Sequence, residues 1–141
     1  MTDPELLSKK LAFIETCVAE LRRLADPDAI GTDLRERRFV EHTLQIAIQA
    51  ALDVASHIVS DERLGEPSTN RELFDLLTRS GWLNTESAGN LGNMVGFRNI
   101  LVHGYSDVDI AVVRDVLDNH LDDLLEFAAV IRGRLPDPSS E

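Results

Sequence analysis

The residues best suited to chemistry in this 141-residue chain lie in one short segment, Arg98 to Tyr105. Arg98 supplies a permanent cation whose planar fork fits a phosphate group. His103 can move protons near neutral pH, and the carboxyl end of a helix favours its protonated form. Asn99 lies four residues before His103, so on a helix its amide could orient the imidazole. Together they form a minimal metal-free set for cleaving an RNA phosphodiester, with the ribose 2′-hydroxyl as the attacking group.

The spacing of this pair raises a geometric problem. On a straight helix Arg98 and His103 are about 140° apart around the axis, so they do not share a face. Bringing them together requires the helix to loosen near Gly104, or a second chain to supply one of them. Spacing alone favours a structural alternative, in which Arg98 pairs with an acid and His103 caps helix carbonyls.

Two further polar groups lie on the predicted second helix. Arg35, Arg37 and Arg38 form a dense basic cluster at its start, where the helix dipole favours anions instead. We consider them candidates for RNA contacts, although salt bridges to nearby acids are the commoner use of such charges. Asp53 and His57 share a face and are candidates for lining a cleft, with a solvated polar stripe as the favoured alternative.

Other kinds of site are not expected. No histidines and carboxylates have the spacing of metal ligands, and we predict no metal and no cofactor. A single cysteine, Cys17, excludes an intramolecular disulfide framework. Gly89, Gly92 and Gly96 lack a preceding strand and a P-loop lysine, so they are interpreted as a helix stripe that lets another helix approach closely. His120 is interpreted as a surface histidine in an acidic helix.

Helical periodicity runs through the sequence and strict alternation is almost absent, which predicts an all-α protein. Capping residues and prolines mark the helix ends. The predicted helices run from the Asp3 cap to Leu24, from Asp33 to about Val59, from Thr69 to Gly81, from Thr85 to His103, and from Ser106 to just before Pro136. The second is apolar around most of its circumference, so other elements must cover it on more than one side. We expect one bundle of four to five helices over residues 1–135 and a flexible tail at 136–141.

Charge and hydropathy limit the classes of function. The 14 basic and 25 acidic residues give a formal charge of −11, which excludes a broad basic groove for nucleic acid and attraction to an anionic membrane. Residues 107–141 hold nine acids and three arginines, so the acidity is densest away from Arg98. An RNA site would therefore be a narrow arginine-lined cleft with salt-sensitive binding. Without a secretory signal or a membrane-spanning apolar run, a cytoplasmic protein is expected.

The pattern R-x4-H-x-Y formed by Arg98, His103 and Tyr105, followed by an acidic amphipathic helix, resembles the HEPN superfamily and specifically its HepT-like branch. The resemblance covers essentially the whole chain. It includes the segment Arg37-Arg38-Phe39-Val40-Glu41, the line Gln45-x3-Gln49-x3-Asp53-x3-His57 and the lead-in Met94-x2-Phe97-Arg98-Asn99.

The resemblance implies a HEPN-like helical bundle that acts as the toxin of a toxin–antitoxin module and as a metal-independent ribonuclease, usually a homodimer. Arg98 and His103 would be the catalytic pair in the dimer cleft, and Asn99 a polar helper. Tyr105 would be the tyrosine that a nucleotidyltransferase antitoxin of the MntA-like kind modifies by AMP transfer, which adds charge and bulk where RNA enters. The alternative is a non-catalytic helical module that binds a nucleotide or supports a nucleotidyltransferase, and the intact Arg–His pair favours the ribonuclease.

Overall fold

Every secondary-structure element is helical in the part of the chain that the computed structural model describes, residues 3–103 and 108–136. A short 3-10 helix at Pro27–Ala29 joins the first two α-helices. The α-helices are α1 (Pro4–Leu24), α2 (Leu34–Asp61), α3 (Asn70–Arg79), α4 (Thr85–His103), α5 (Ile110–Asn119) and α6 (Leu121–Arg134). The prediction of an all-α protein is confirmed.

Polar side chains cap the first three of these helices where the sequence predicts them. Asp3, Asp33 and Thr69 each accept hydrogen bonds from backbone N–H groups of the first turn that follows. Glu36, the expected partner of the Asp33 cap, instead accepts a hydrogen bond from the backbone N–H of Asp26, 2.6 Å away. This contact ties the connection between α1 and α2 to the start of α2.

The predicted fifth helix is two helices, so the described residues form six α-helices where the sequence analysis expected four to five. Asp109 caps α5, and the chain turns at His120 before α6 begins. The ring of His120 lies between two carboxylates, with Nδ1 2.9 Å from Asp123 and Nε2 3.2 Å from Asp115. His120 lies at the surface, with 40% of its side chain accessible, but it joins two helices instead of belonging to one acidic helix. Ser106, the predicted start, lies outside the described residues.

The core forms around α2, which contacts α1, α3, α4 and α6. This confirms that the largely apolar second helix is covered on more than one side. Leu44, Ile48 and Ile58 on α2 are essentially inaccessible to solvent. Phe74 on α3 and Phe127 on α6 meet edge to face, with ring centroids 6.0 Å apart. None of the described helices is long and apolar enough to cross a membrane.

At Gly92 and Gly96, the glycine stripe on α4 is covered by the side chain of Arg71 instead of by the backbone of another helix. Arg71 of α3 donates a hydrogen bond from Nη2 to the carbonyl oxygen of Gly92, 2.7 Å away. A Cβ atom added at Gly92 would lie 3.3 Å from Nε of Arg71, and one at Gly96 would lie 3.7 Å from its Nη2. A Cβ atom at Gly89 would meet nothing within 4 Å.

Candidate functional site

Arg98 lies half-buried on α4, where it faces α2. Its Nη2 donates a hydrogen bond to Oε1 of Gln49 on α2 at 2.7 Å, and its Nη1 donates to Oδ1 of Asn99 at 3.2 Å. Its Nε is buried and has no hydrogen-bond partner among the described residues. Both groups that hold the guanidinium are neutral amides. The pairing with an acid that the structural alternative required is therefore absent from the described part of the chain.

His103 is the last residue of α4 and its side chain is exposed. Because α4 is unbroken from Thr85 to His103, Arg98 and His103 project from different sides of one helix. The helix therefore does not loosen between the two residues, and Gly104 lies outside the described residues. Asn99, predicted to orient the histidine, has its side-chain oxygen on Arg98.

A chain of polar contacts continues from Gln49 into α1. Nε2 of Gln49 donates a hydrogen bond to Oδ1 of Asp53 at 3.0 Å, one turn further along α2. The other carboxylate oxygen of Asp53 accepts a hydrogen bond from Nζ of Lys10 at 3.3 Å. We call Lys10, Asp53 and Gln49 the α2 relay. It links α1, through α2, to Arg98 on α4.

Asp53 and His57 both line an open depression on the surface between α1 and α2. Lys10, Ser56 and Ser60 complete its walls, and its volume is about 400 Å³. The two residues that the sequence analysis predicted to line a cleft therefore line the same open depression, and their role in a cleft stays a prediction. Their depression adjoins the α2 relay, since Asp53 and Lys10 belong to both.

The three arginines at the start of α2 have different surroundings. Nε of Arg37 donates to Oε1 of Glu41 at 2.6 Å in a largely buried ion pair. Arg35 and Arg38 are exposed. Arg38 lines a depression of about 190 Å³ that also contains Leu101, two residues before His103. Of the cluster, Arg38 therefore lies beside the end of α4.

The described residues offer neither a cluster of metal-binding side chains nor an activated thiol. They contain no group of three histidine, cysteine, aspartate or glutamate side chains placed to hold a metal ion. Burial raises the pKa of the Cys17 thiol to about 11, with a smaller contribution from the nearby charge of Glu20. Cys17 is therefore protonated at neutral pH and is a poor nucleophile.

Two features of the site could not be found from the sequence alone. The pairing of Gln49 with Asp53 follows helical spacing, but nothing local indicates that Gln49 meets Arg98, 49 residues away. Lys10 is likewise separated from Asp53 by 43 residues. Tyr105, the predicted modified tyrosine, lies outside the described residues.

Comparison with known proteins connects this architecture with a family. Residues 14–131 match the sequence model of the family described as Ribonuclease HepT-like. The mRNA nuclease HepT of Shewanella oneidensis is 31% identical over 129 residues, which are 91% of this chain and 97% of that protein. The tRNA nuclease HepT of Aphanizomenon flos-aquae is 30% identical over 109 residues, 76% of this chain and 74% of that protein.

A solved structure shows the same fold. It contains the tri-AMPylated Shewanella oneidensis HEPN toxin in complex with MNT antitoxin. The matching chain is 31% identical, superimposes with a TM-score of 0.86, and the match covers 95% of this chain and all of the other. The helical bundle described above is thus shared with a HEPN toxin over nearly its whole length.

Proposed function

This chain belongs to the HepT-like ribonuclease family, and from that premise we propose that it is the toxin of a toxin–antitoxin module that cleaves RNA without a metal ion. Arg98 and His103 are the proposed catalytic pair. The observation that carries the proposal is that Arg98 is half-buried with neutral amides as its partners. Its charge is therefore left without a counter-ion in the described chain and is available to an RNA phosphate.

The hydrogen-bonding capacity of Arg98 fits this role. A guanidinium has five N–H donors. One is the buried Nε, and Gln49 and Asn99 each take one from the terminal nitrogens. Each terminal nitrogen keeps one further N–H for a phosphate, which arginine binds well through paired donors.

The proposed reaction is transfer of the phosphodiester within the RNA. A base removes the proton of the ribose 2′-hydroxyl, that oxygen forms a bond to phosphorus as the bond to the 5′-oxygen breaks, and an acid gives a proton to the leaving 5′-oxygen. His103 takes part in this proton transfer, and Arg98 stabilises the charge that develops on the phosphoryl oxygens. The products carry a 2′,3′-cyclic phosphate and a 5′-hydroxyl group.

We further propose that a homodimer assembles the site. Within one chain the unbroken α4 holds Arg98 and His103 on different sides, so His103 of a second copy would complete the site. Ile100 lies between these two residues in the sequence and is 51% exposed. An exposed apolar side chain of this kind is what an interface covers. The active site would then be a cleft between the two copies.

RNA would reach this cleft along the polar face of α2. We propose that Arg38 and Arg35 contact RNA phosphates, because both are exposed and Arg38 adjoins the end of α4. Arg37 would contribute less, since Glu41 already neutralises it. Asp53 and His57 would line the cleft at the depression that they share.

Control of the toxin is proposed to reside in a nucleotidyltransferase antitoxin that transfers AMP to Tyr105. The related HEPN toxin is tri-AMPylated and is bound to MNT antitoxin, which supports a partner of this kind. AMP on a tyrosine two residues after His103 would add negative charge where RNA must bind. Mass spectrometry after co-expression should show added AMP on wild type and none on Tyr105→Phe. Neutralised but unmodified toxin would contradict this mode of control.

The central test is induced expression together with RNA cleavage by the purified protein in EDTA. Wild type should arrest growth and cleave RNA, whereas Arg98→Ala and His103→Ala should lose cleavage by a factor on the order of 10³. Arg23→Ala is the matched control, because Arg23 is an exposed arginine at the end of α1 and its loss removes the same charge. If His103→Ala remained as toxic as wild type, or wild type cleaved no RNA, a non-catalytic accessory module would be the better description.

A further inference from the structure

The residue that holds the proposed catalytic arginine is Gln49, on a different helix. Its contact with Nη2 of Arg98, at 2.7 Å, is the shorter of the two hydrogen bonds to that guanidinium. We propose that Gln49 is a positioning residue for Arg98, and that Asp53 and Lys10 set the orientation of its amide. This inference rests on the proposed ribonuclease function and adds to it the group that aligns the cation.

The partners of Gln49 permit one orientation of its amide. Arg98 has only donors, so it must face the oxygen Oε1. The Asp53 carboxylate has only acceptors, so it must face the nitrogen Nε2. If the amide turned over, donor would face donor at one end and acceptor would face acceptor at the other. Lys10 reinforces this arrangement from α1, because it holds the second oxygen of Asp53.

A neutral amide suits this position better than a carboxylate. Glutamine fixes the direction of the guanidinium by accepting a hydrogen bond and leaves the positive charge uncompensated. The one carboxylate of the α2 relay, Asp53, lies beyond Gln49 and is already paired with Lys10. The charges of Asp53 and Lys10 cancel locally, so the field at Arg98 remains that of a cation.

The buried edge of Arg98 adds a second constraint. Since Nε is enclosed by the protein, a phosphate can approach only the end that carries the two terminal nitrogens. Gln49 holds one of these nitrogens and Asn99 the other. The guanidinium of Arg98 is therefore aligned before the substrate arrives. Such alignment increases the rate, because less freedom of movement is lost on reaching the transition state.

Two substitutions at Gln49 should have different kinetic signatures. Gln49→Met keeps the size of the side chain but removes both hydrogen bonds, so kcat should fall on the order of 10- to 100-fold with a smaller change in KM. Gln49→Glu keeps an acceptor for Arg98 but adds a counter-ion. Its KM for RNA should rise. The slope of the log of the binding constant against the log of the salt concentration should become shallower by about 0.7, which is the contribution of one phosphate contact. A merely structural role would give both variants one shared defect, visible as a lower Tm.

The remaining members of the α2 relay should affect kcat through Gln49. Asp53→Asn alone should lower kcat several-fold, but it should have little further effect in the Gln49→Met background. Lys10→Met should also lower kcat, whereas Lys9→Met is the matched control. Lys9 is the neighbouring lysine, is 75% exposed and pairs with Glu5, so its loss removes the same charge without touching Asp53.

The outcomes separate this inference from the proposed function. If wild type cleaves RNA, Arg98→Ala does not, and Gln49→Met is within about two-fold of wild type, the positioning role is wrong and the ribonuclease stands. A Gln49→Met protein faster than wild type would also overturn it, because Gln49 would then restrain Arg98 away from its active position. Absence of cleavage by wild type would overturn both proposals.

Discussion

Arg98 differs from the four described arginines that form ion pairs in what it touches. Its hydrogen bonds go to the amides of Gln49 and Asn99, and its Nε has no partner in the described chain. Burying part of a charged group without a counter-ion costs free energy, which neutral hydrogen bonds offset only in part. Other arginines of the chain are paired with carboxylates: Arg22 with Asp122, Arg37 with Glu41, Arg114 with Asp28, and Arg132 with Glu15. The half-buried charge of Arg98 therefore has no ionic partner in the described chain, which supports the proposal that it binds an anion from outside.

His120 predicts a pH dependence of stability at the residue scale. The hydrogen bond to Asp123 and the charge of Asp115 raise the pKa of His120 above its ordinary value of 6.5. Because the pKa is higher in the folded than in the unfolded protein, the charged imidazole stabilises the folded state. This stabilisation is complete below about pH 6.5 and disappears as the pH rises through the raised pKa. His120→Asn should therefore lower Tm more at about pH 6 than at about pH 8.5. An equal loss at both pH values would show that the imidazole is not charged in the folded protein.

At the scale of helices, the glycines of α4 differ in how much space is available for a side chain. Glycine in a helix interior costs about 0.5–1 kcal/mol relative to alanine. Gly89 is exposed with open space around it, so Gly89→Ala should stabilise the protein by about that amount. Gly92→Ala should gain less, since its Cβ would press on Arg71 at 3.3 Å. Urea unfolding of both variants measures the difference, and equal stabilisation would mean that the Arg71 side chain moves aside without cost.

The division between α5 and α6 explains why periodicity alone overestimated the length of a helix. Buried apolar residues continue on both sides of His120, with Leu117 before it and Leu121 and Leu124 after it. The apolar pattern therefore passes through the turn without interruption, and no glycine or proline marks it. The turn is held by the contacts of His120 with acids on both helices. The contact with Asp115, five residues earlier, depends on the change of direction, because residues five apart do not share a face of a straight helix.

At the scale of the whole molecule, the proposed dimer makes a prediction about mixed assemblies. Arg98→Ala and His103→Ala are each inactive alone if both residues are needed. If the site combines Arg98 of one copy with His103 of the other, random mixing makes half of the dimers mixed, each with one intact site, and restores about a quarter of wild-type cleavage. The measurement is RNA cleavage after the two variants are unfolded and refolded together. No activity in the mixture would place both residues of a working site in one chain.

The distribution of charge predicts how RNA binding depends on salt. With a formal charge of −11, few phosphates can be neutralised, so binding should be weak and carried by a small number of arginines. Arg38→Gln should reduce the slope of log binding constant against log salt by about 0.7, one contact to single-stranded RNA. Arg23→Gln, on the last turn of α1, is the control and should leave the slope unchanged. A wild-type affinity that does not vary with salt would contradict the arginine-lined cleft.

The sequence by itself determined what depends on near neighbours along the chain. The caps at Asp3, Asp33 and Thr69, the extent of α4 and the segment that carries Arg98 and His103 follow from interactions over three to five residues. The tertiary structure decided what surrounds those residues. Arg98 meets Gln49, and Asp53 meets Lys10, across more than 40 residues because α1, α2 and α4 pack together. A helical pattern records which residues share a face, but the partner of that face depends on the path of the whole chain.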